Sequence, residues 1–202
     1  MIILKTATFL VITSITTIML PFNIAFAHRF NVGLVIPDIN SDNGQSLQIK
    51  QGFMLATTEQ DSHPDEESDG HLGGLDVYVT VADVDKVADG NLTSFITQND
   101  INIIAVFGPA FRIKDISANM DVALLRPGKS PFSETRRPAV AAFTAAYTSL
   151  YGSPPSASAA QGYNAARRIA KAVRAQSGVD DIQRLQGNLE GSMQSFSWQR
   201  SP

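Results

Sequence analysis

The chain has 202 residues, 44% of them hydrophobic and 17% charged, with a formal net charge of −3 and no cysteine. That length makes one ordinary domain with a sizeable core. The small negative charge gives no reason to expect a nucleic-acid partner, and the lack of cysteine excludes disulfides, thiolate metal sites and cysteine nucleophiles.

Lys5 is the only charge before His28, and Phe9 to Leu20 is apolar apart from Ser and Thr. Pro21 interrupts that run, and Ala25-Phe26-Ala27 puts small residues at the two positions a signal peptidase reads. We read 1–27 as a cleaved Sec signal and expect a mature chain from near His28 in a bacterial periplasm. The alternative is an uncleaved anchor, but the run is short for a membrane span and no stable membrane anchor is expected.

From His28 onward, strand and helix patterns alternate. Phe30 to Pro37 predicts a first strand ended by proline. A polar loop over Asp38 to Gly44 leads to a helix through about Gln60, with Ile49, Gly52, Phe53 and Ala56 on one face. Ser62 to Gly74 is acidic and carries glycines, and His63, Asp65, Glu66, Glu67, Asp69 and His71 crowd together there. His with carboxylates can hold a divalent metal, but no regular spacing fixes these residues, so a solvated acidic loop is preferred and no metal site is assigned.

Leu75 to Val81 predicts a second strand. Asp83 caps a helix whose inward face is Val84, Val87, Ala88, Leu92 and Phe95. Asn91-Leu92-Thr93 matches a glycosylation acceptor pattern, which in a bacterial context is taken as chance. Ile101 to Phe107 is a near-continuous β-branched run stopped by Gly108-Pro109, the pattern of a strand buried on both faces of a parallel sheet. Met120 to Leu125 predicts a fourth strand, followed by Arg126-Pro127-Gly128.

Helices then take over. One starts at Pro138, carries Val140, Phe143, Tyr147 and Leu150, and ends at Gly152 before Pro154-Pro155. A second runs from about Ser156 to Gln176, with Ala159, Tyr163, Ala166, Ala170 and Val173 on one side. A third, Asp180 to Leu189, starts with two acids at its positive end. Met193 to Trp198 is read as a short terminal strand. The fold class expected is α/β, a three-layer αβα sandwich with a mostly parallel sheet. It forms one domain over 28–202, with an N-terminal part 28–128 and a C-terminal helical part 136–202.

Taken together, these residues resemble the periplasmic solute-binding proteins of branched-chain amino acid ABC transporters, the type I Leu/Ile/Val-binding family. The resemblance rests on Val32 to Pro37, Gly44 and Gln51 to Ala56, then on Ile103 to Pro109. Its most specific part is Phe143, Tyr147, Tyr151-Gly152, Pro155 and Ala160-Gln161-Gly162-Tyr163-Asn164-Ala165-Ala166. Members have two lobes that close on a ligand. Here the fourth strand passes within about a dozen residues into helices that the family returns to lobe one, so the chain resembles that lobe alone, a complete α/β unit in itself. The family's Ser or Thr after the third and fourth strands are absent; Ala110-Phe111-Arg112 and Arg126-Pro127 stand there instead.

Ligands in open α/β sheets collect beyond the carboxyl ends of the strands. Asp38, Asn40, Ser41, Pro109, Ala110, Phe111, Arg112 and Arg126 are therefore the expected ligand-binding residues. Arg112 and Arg126 suit an anionic ligand or a partner's carboxylate; the competing reading is a pair of solvated surface arginines. Phe111 is read as a core plug in preference to a stacking platform, and Tyr147 and Tyr163 as packing residues. No nucleophile elbow, phosphate loop, dinucleotide fingerprint or helical His pair occurs, so neither catalysis nor a cofactor is expected. The resemblance implies a component of an ABC transport system for amino acids or related solutes, with a permease as partner. The alternative is a periplasmic interaction module that uses the lobe to bind a protein or to form a homodimer.

Overall fold

Strands with apolar residues on both faces need cover on both sides, and that requirement shapes the molecule. The computed structural model describes residues 29–37, 44–59, 61, 67–88, 91–108, 121–127 and 138–192. Five strands form one sheet: β1 (Arg29–Ile36), β2 (His71–Leu72), β3 (Leu75–Asp83), β4 (Ile103–Val106) and β5 (Ala123–Leu125). Their order is β2-β3-β1-β4-β5, and every pairing is parallel except β2 with β3. The expected α/β class and its mostly parallel sheet are what the chain forms.

Alternate residues of β1 divide the core in two. Phe30, Val32, Leu34 and Ile36 point to a large cluster with α1 (Gln45–Thr58), α4 (Pro138–Tyr151), α5 (Ala157–Gln176) and α6 (Ile182–Gly191). Val35 points the other way, where Ile104, Val106 and Val122 meet Val84 and Val87 of α2 (Val84–Ala88) and Ile96 of α3 (Leu92–Gln98). All four residues of β4 are buried, as its double-sided pattern predicts.

On the thicker side, α1 and α5 cross with their backbones in contact. A Cβ on Gly52 would lie 1.9 Å from the Ala159 carbonyl oxygen, and one on Gly162 would lie 2.0 Å from that of Ile49. Only glycine permits that approach. A row of aromatics flanks the seam: Tyr163 against Phe143 (4.6 Å between ring centroids), Phe143 against Tyr147 (5.8 Å) and Tyr147 against Tyr151 (4.7 Å).

Three expectations are revised, and a fourth is not reached by the described residues. The helix expected after Asp83 is two helices, α2 ending at Ala88 and α3 starting at Leu92. The Asp83 carboxylate still accepts from the Asp85 amide at 2.9 Å. The supposed loop before β3 contains β2, turned by Gly73 (φ 71°) and Gly74 (φ 93°), the backbone of a two-residue hairpin. Leu150 is 57% exposed instead of facing inward. Tyr151, four residues after Tyr147, takes that place because its hydroxyl reaches the Gln51 carbonyl at 3.0 Å. The expected terminal strand over Met193 to Trp198 lies outside the described residues.

Both sheet edges are partly closed by side chains. The Gln186 amide of α6 accepts from the Leu124 N–H (2.8 Å) and donates to the Leu124 carbonyl (3.2 Å), standing in for a neighbouring strand on β5. At the other edge β2 covers the start of β3, and the Asp69 carboxylate accepts from the Val79 amide at 2.8 Å.

Candidate functional site

The chain leaves β1 to one side, to β3, and later returns past β1 to β4. The strand order therefore reverses between β1 and β4, and the crevice beyond their carboxyl ends is where such sheets place ligands. Pro37 ends β1 and Gly108 follows β4. A Cβ on Gly108 would meet the Pro37 ring at 3.4 Å, and its φ of 99° is one that L residues rarely adopt. The Phe107 amide donates to the Val35 carbonyl at 2.8 Å, so the two strands stay paired up to the crevice.

Two helices begin at this rim. The Ser46 hydroxyl donates to the Pro37 carbonyl, holding the start of α1 against the end of β1. Gly44 is the N-cap of α1 at φ 65° and offers no side-chain cap. Ser156 caps α5 by accepting from the Ser158 and Ala159 amides, at 3.1 and 3.3 Å, and its hydroxyl also bonds the Gln48 side chain of α1. Gln161 donates to the Pro127 carbonyl at 3.1 Å and so ties α5 to the end of β5. The positive ends of two helices therefore frame the rim.

Arg126 is exposed on that rim, directly after β5, and β5 pairs with β4 as expected. Of the other residues expected to bind ligand, Asp38, Asn40, Ser41, Pro109, Ala110, Phe111 and Arg112 lie outside the described residues. Reasoning from sequence missed Gln48 and Ser46. Nothing in their spacing separates them from an ordinary first helical turn.

The tyrosines are committed to structure. Tyr147 donates to the Gln51 side chain at 2.6 Å, and Tyr163 donates to the Glu59 carboxylate at 2.6 Å while accepting from Arg167 at 3.2 Å. Burial, followed by the bond to Glu59 and its charge, raises the Tyr163 pKa to about 12 against a partial offset from Arg167. Burial also raises Tyr147, which Tyr151 raises further, and it raises Tyr151. As expected, Tyr147 and Tyr163 are packing residues, 1% and 8% exposed.

His71 sits between two carboxylates, with Nδ1 3.0 Å from Asp61 and Nε2 2.8 Å from Asp76. Both ring nitrogens are thereby engaged in fastening the β2 hairpin. His63, Asp65 and Glu66 lie outside the described residues. Arg168, buried in α5, donates to the Leu189 carbonyl and the Ser192 hydroxyl, both at 3.0 Å, closing the end of α6; burial lowers its pKa. No described helix is long and apolar enough to cross a membrane.

No protein-family model and no curated protein matches the chain. Two solved structures are similar to it. One is an ABC transporter substrate-binding protein from Desulfitobacterium hafniense in complex with Leu, 16% identical, at a TM-score of 0.28, with 82% of this chain and 49% of that one covered. The other is an ABC transporter substrate-binding protein from the same organism, also 16% identical, at a TM-score of 0.25, with 76% and 55% covered. The chain spans about half the length of each (49% and 55%).

Proposed function

We propose that this chain is a non-catalytic, single-lobe relative of the periplasmic solute-binding proteins, serving an ABC transport system for amino acids or related small solutes. The solute lies at the rim between β1 and β4, against Pro37, Gly108 and Arg126, with Arg126 taking the anionic group. The observation that supports this reading most directly is the reversal of strand order between β1 and β4, with Pro37 and Gly108 side by side at the strands' carboxyl ends. The tyrosines and His71 are held by internal partners and do not compete for the role. An open rim covers little of a small ligand, so binding is weak unless another chain closes over it.

A thermal-shift panel of amino acids and small organic anions, headed by leucine, tests the reading. One class is expected to raise the melting temperature by about 5–10 °C at about 100 times its Kd, a stabilisation of about 2.7 kcal/mol. Arg126→Ala should remove that shift, measured against the variant's own unliganded melting temperature. A flat panel, or a shift indifferent to Arg126, would defeat the proposal.

A further inference from the structure

Between β3 and the two short helices that follow it lies a groove of about 700 Å³, within the size range of small-molecule sites. Thr80 to Asp83 of β3 form one wall. The other comes from α3, where Asn91, Ser94 and Gln98 recur at helical spacing and so share one face. The apolar side of the same helix is spent on the core, with Ile96 buried and Leu92 packed against the cluster around Val84 and Val87. The helix is thus amphipathic, and its polar stripe is turned to the groove.

Two of the lining amides are held in place. Asn91 donates through Nδ2 to the Lys86 carbonyl at 3.2 Å, and Asn99 donates through Nδ2 to the Phe95 carbonyl at 2.8 Å. Each carboxamide keeps an acceptor oxygen whose position that bond fixes, so little freedom is lost when a ligand arrives. Thr80, Ser94 and Gln98 add further groups that both donate and accept, which is what a sugar hydroxyl does. Asp83 and Lys86 are of opposite sign, so the lining favours no net charge, and the Asp83 carboxylate already takes the Asp85 amide. The half-buried Phe95 ring and Val87 supply an apolar patch for the C–H face of a sugar ring. We propose that this groove binds a neutral mono- or disaccharide, its hydroxyls bonded by the Asn91-Ser94-Gln98 stripe and by Asn99, its C–H face against Phe95. This groove is built from other residues than the β1–β4 rim and does not depend on the solute reading.

The test titrates the isotope-labelled whole chain with glucose, galactose, mannose, N-acetylglucosamine and their β-linked disaccharides, with glycerol as the control. Binding is followed at the side-chain amide signals of Asn91, Gln98 and Asn99 and at the backbone amides of Thr80 to Asp83. One sugar is expected to shift these signals saturably, with a Kd of about 1–10 mM because the groove is open. Ser94→Trp, at an exposed position, should fill the groove and weaken that sugar by at least about tenfold. Gln98→Ala, also exposed, removes one amide, should weaken it by about fivefold, and stands in if the Trp variant does not fold. The proposal is overturned if no sugar gives saturable shifts up to about 100 mM, or if glycerol gives the same shifts. Binding that the folded variants retain in full, or that only sulfated or carboxylated sugars show, would overturn it as well.

Discussion

The two faces of the sheet are built to different depths. On one, α1 and α5 touch backbone to backbone through Gly52 and Gly162, and the aromatic row from Tyr151 to Tyr163 locks the seam with every hydroxyl bonded. On the other, two short helices lie on a small cluster, with Phe95 packed over Gly33 and a groove left beside β3. The first face makes the fold rigid and the second leaves room. The residues of the most specific part of the family resemblance, in α4 and α5 from Phe143 to Ala166, belong to the first. They are therefore signs of architecture, and they say little about what is bound.

Glycine substitutions probe this contrast most strongly. Gly52→Ala or Gly162→Ala drives a methyl into a facing carbonyl, and each is expected to cost at least about 3 kcal/mol in urea unfolding. A cost under about 1 kcal/mol would mean that the seam spreads easily and the contrast is false. Tyr163→Phe should cost about 1 kcal/mol by removing the bond to Glu59. Its pH dependence sharpens the point. Tyr163 has a folded pKa above its ordinary 10.0, at about 12. The unfolded chain therefore loses this proton first, and the stabilisation present below pH 10 is lost as pH rises toward 12. Thermal melts across that window should fall less steeply in the Phe variant.

Gly33→Ala tests the thin face. Its Cβ would lie 2.8 Å from the edge of the Phe95 ring, a side chain on a seven-residue helix. We expect a cost of only about 1 kcal/mol as the ring gives way. A cost equal to that at Gly52 would show the second face to be as unyielding as the first. Gln186→Ala is expected to have the smallest effect, about 0.5 kcal/mol, with faster exchange at the Leu124 amide.

Most of the architecture was readable because apolar period and punctuation agreed. The buried run at Ile103 to Val106, Pro138 at a helix start and the Gly152 stop correspond to β4 and to the two ends of α4. The β2 hairpin was missed because nearby charges drew attention from Leu72-Gly73-Gly74-Leu75, although paired glycines between apolar residues are a hairpin signal. Leu150 and Tyr151 were exchanged because three- and four-residue steps both continue a helical face; the hydroxyl's reach to Gln51 decides between them, and that contact spans 100 residues. The candidate site was less readable. Rim position follows from strand order, which the alternating pattern allowed, but Gln48 and Ser46 act through tertiary bonds that local spacing does not encode.

The central claim is that a small solute is held at the β1–β4 rim, and amide chemical-shift mapping tests it most directly. Amino acids and small organic anions are titrated into the isotope-labelled chain. The account predicts shifts concentrated at Ser46, Gly108 and Arg126 and largely abolished by Arg126→Ala. Shifts clustered along Val79–Asp83 instead, or none anywhere at millimolar solute, would contradict it.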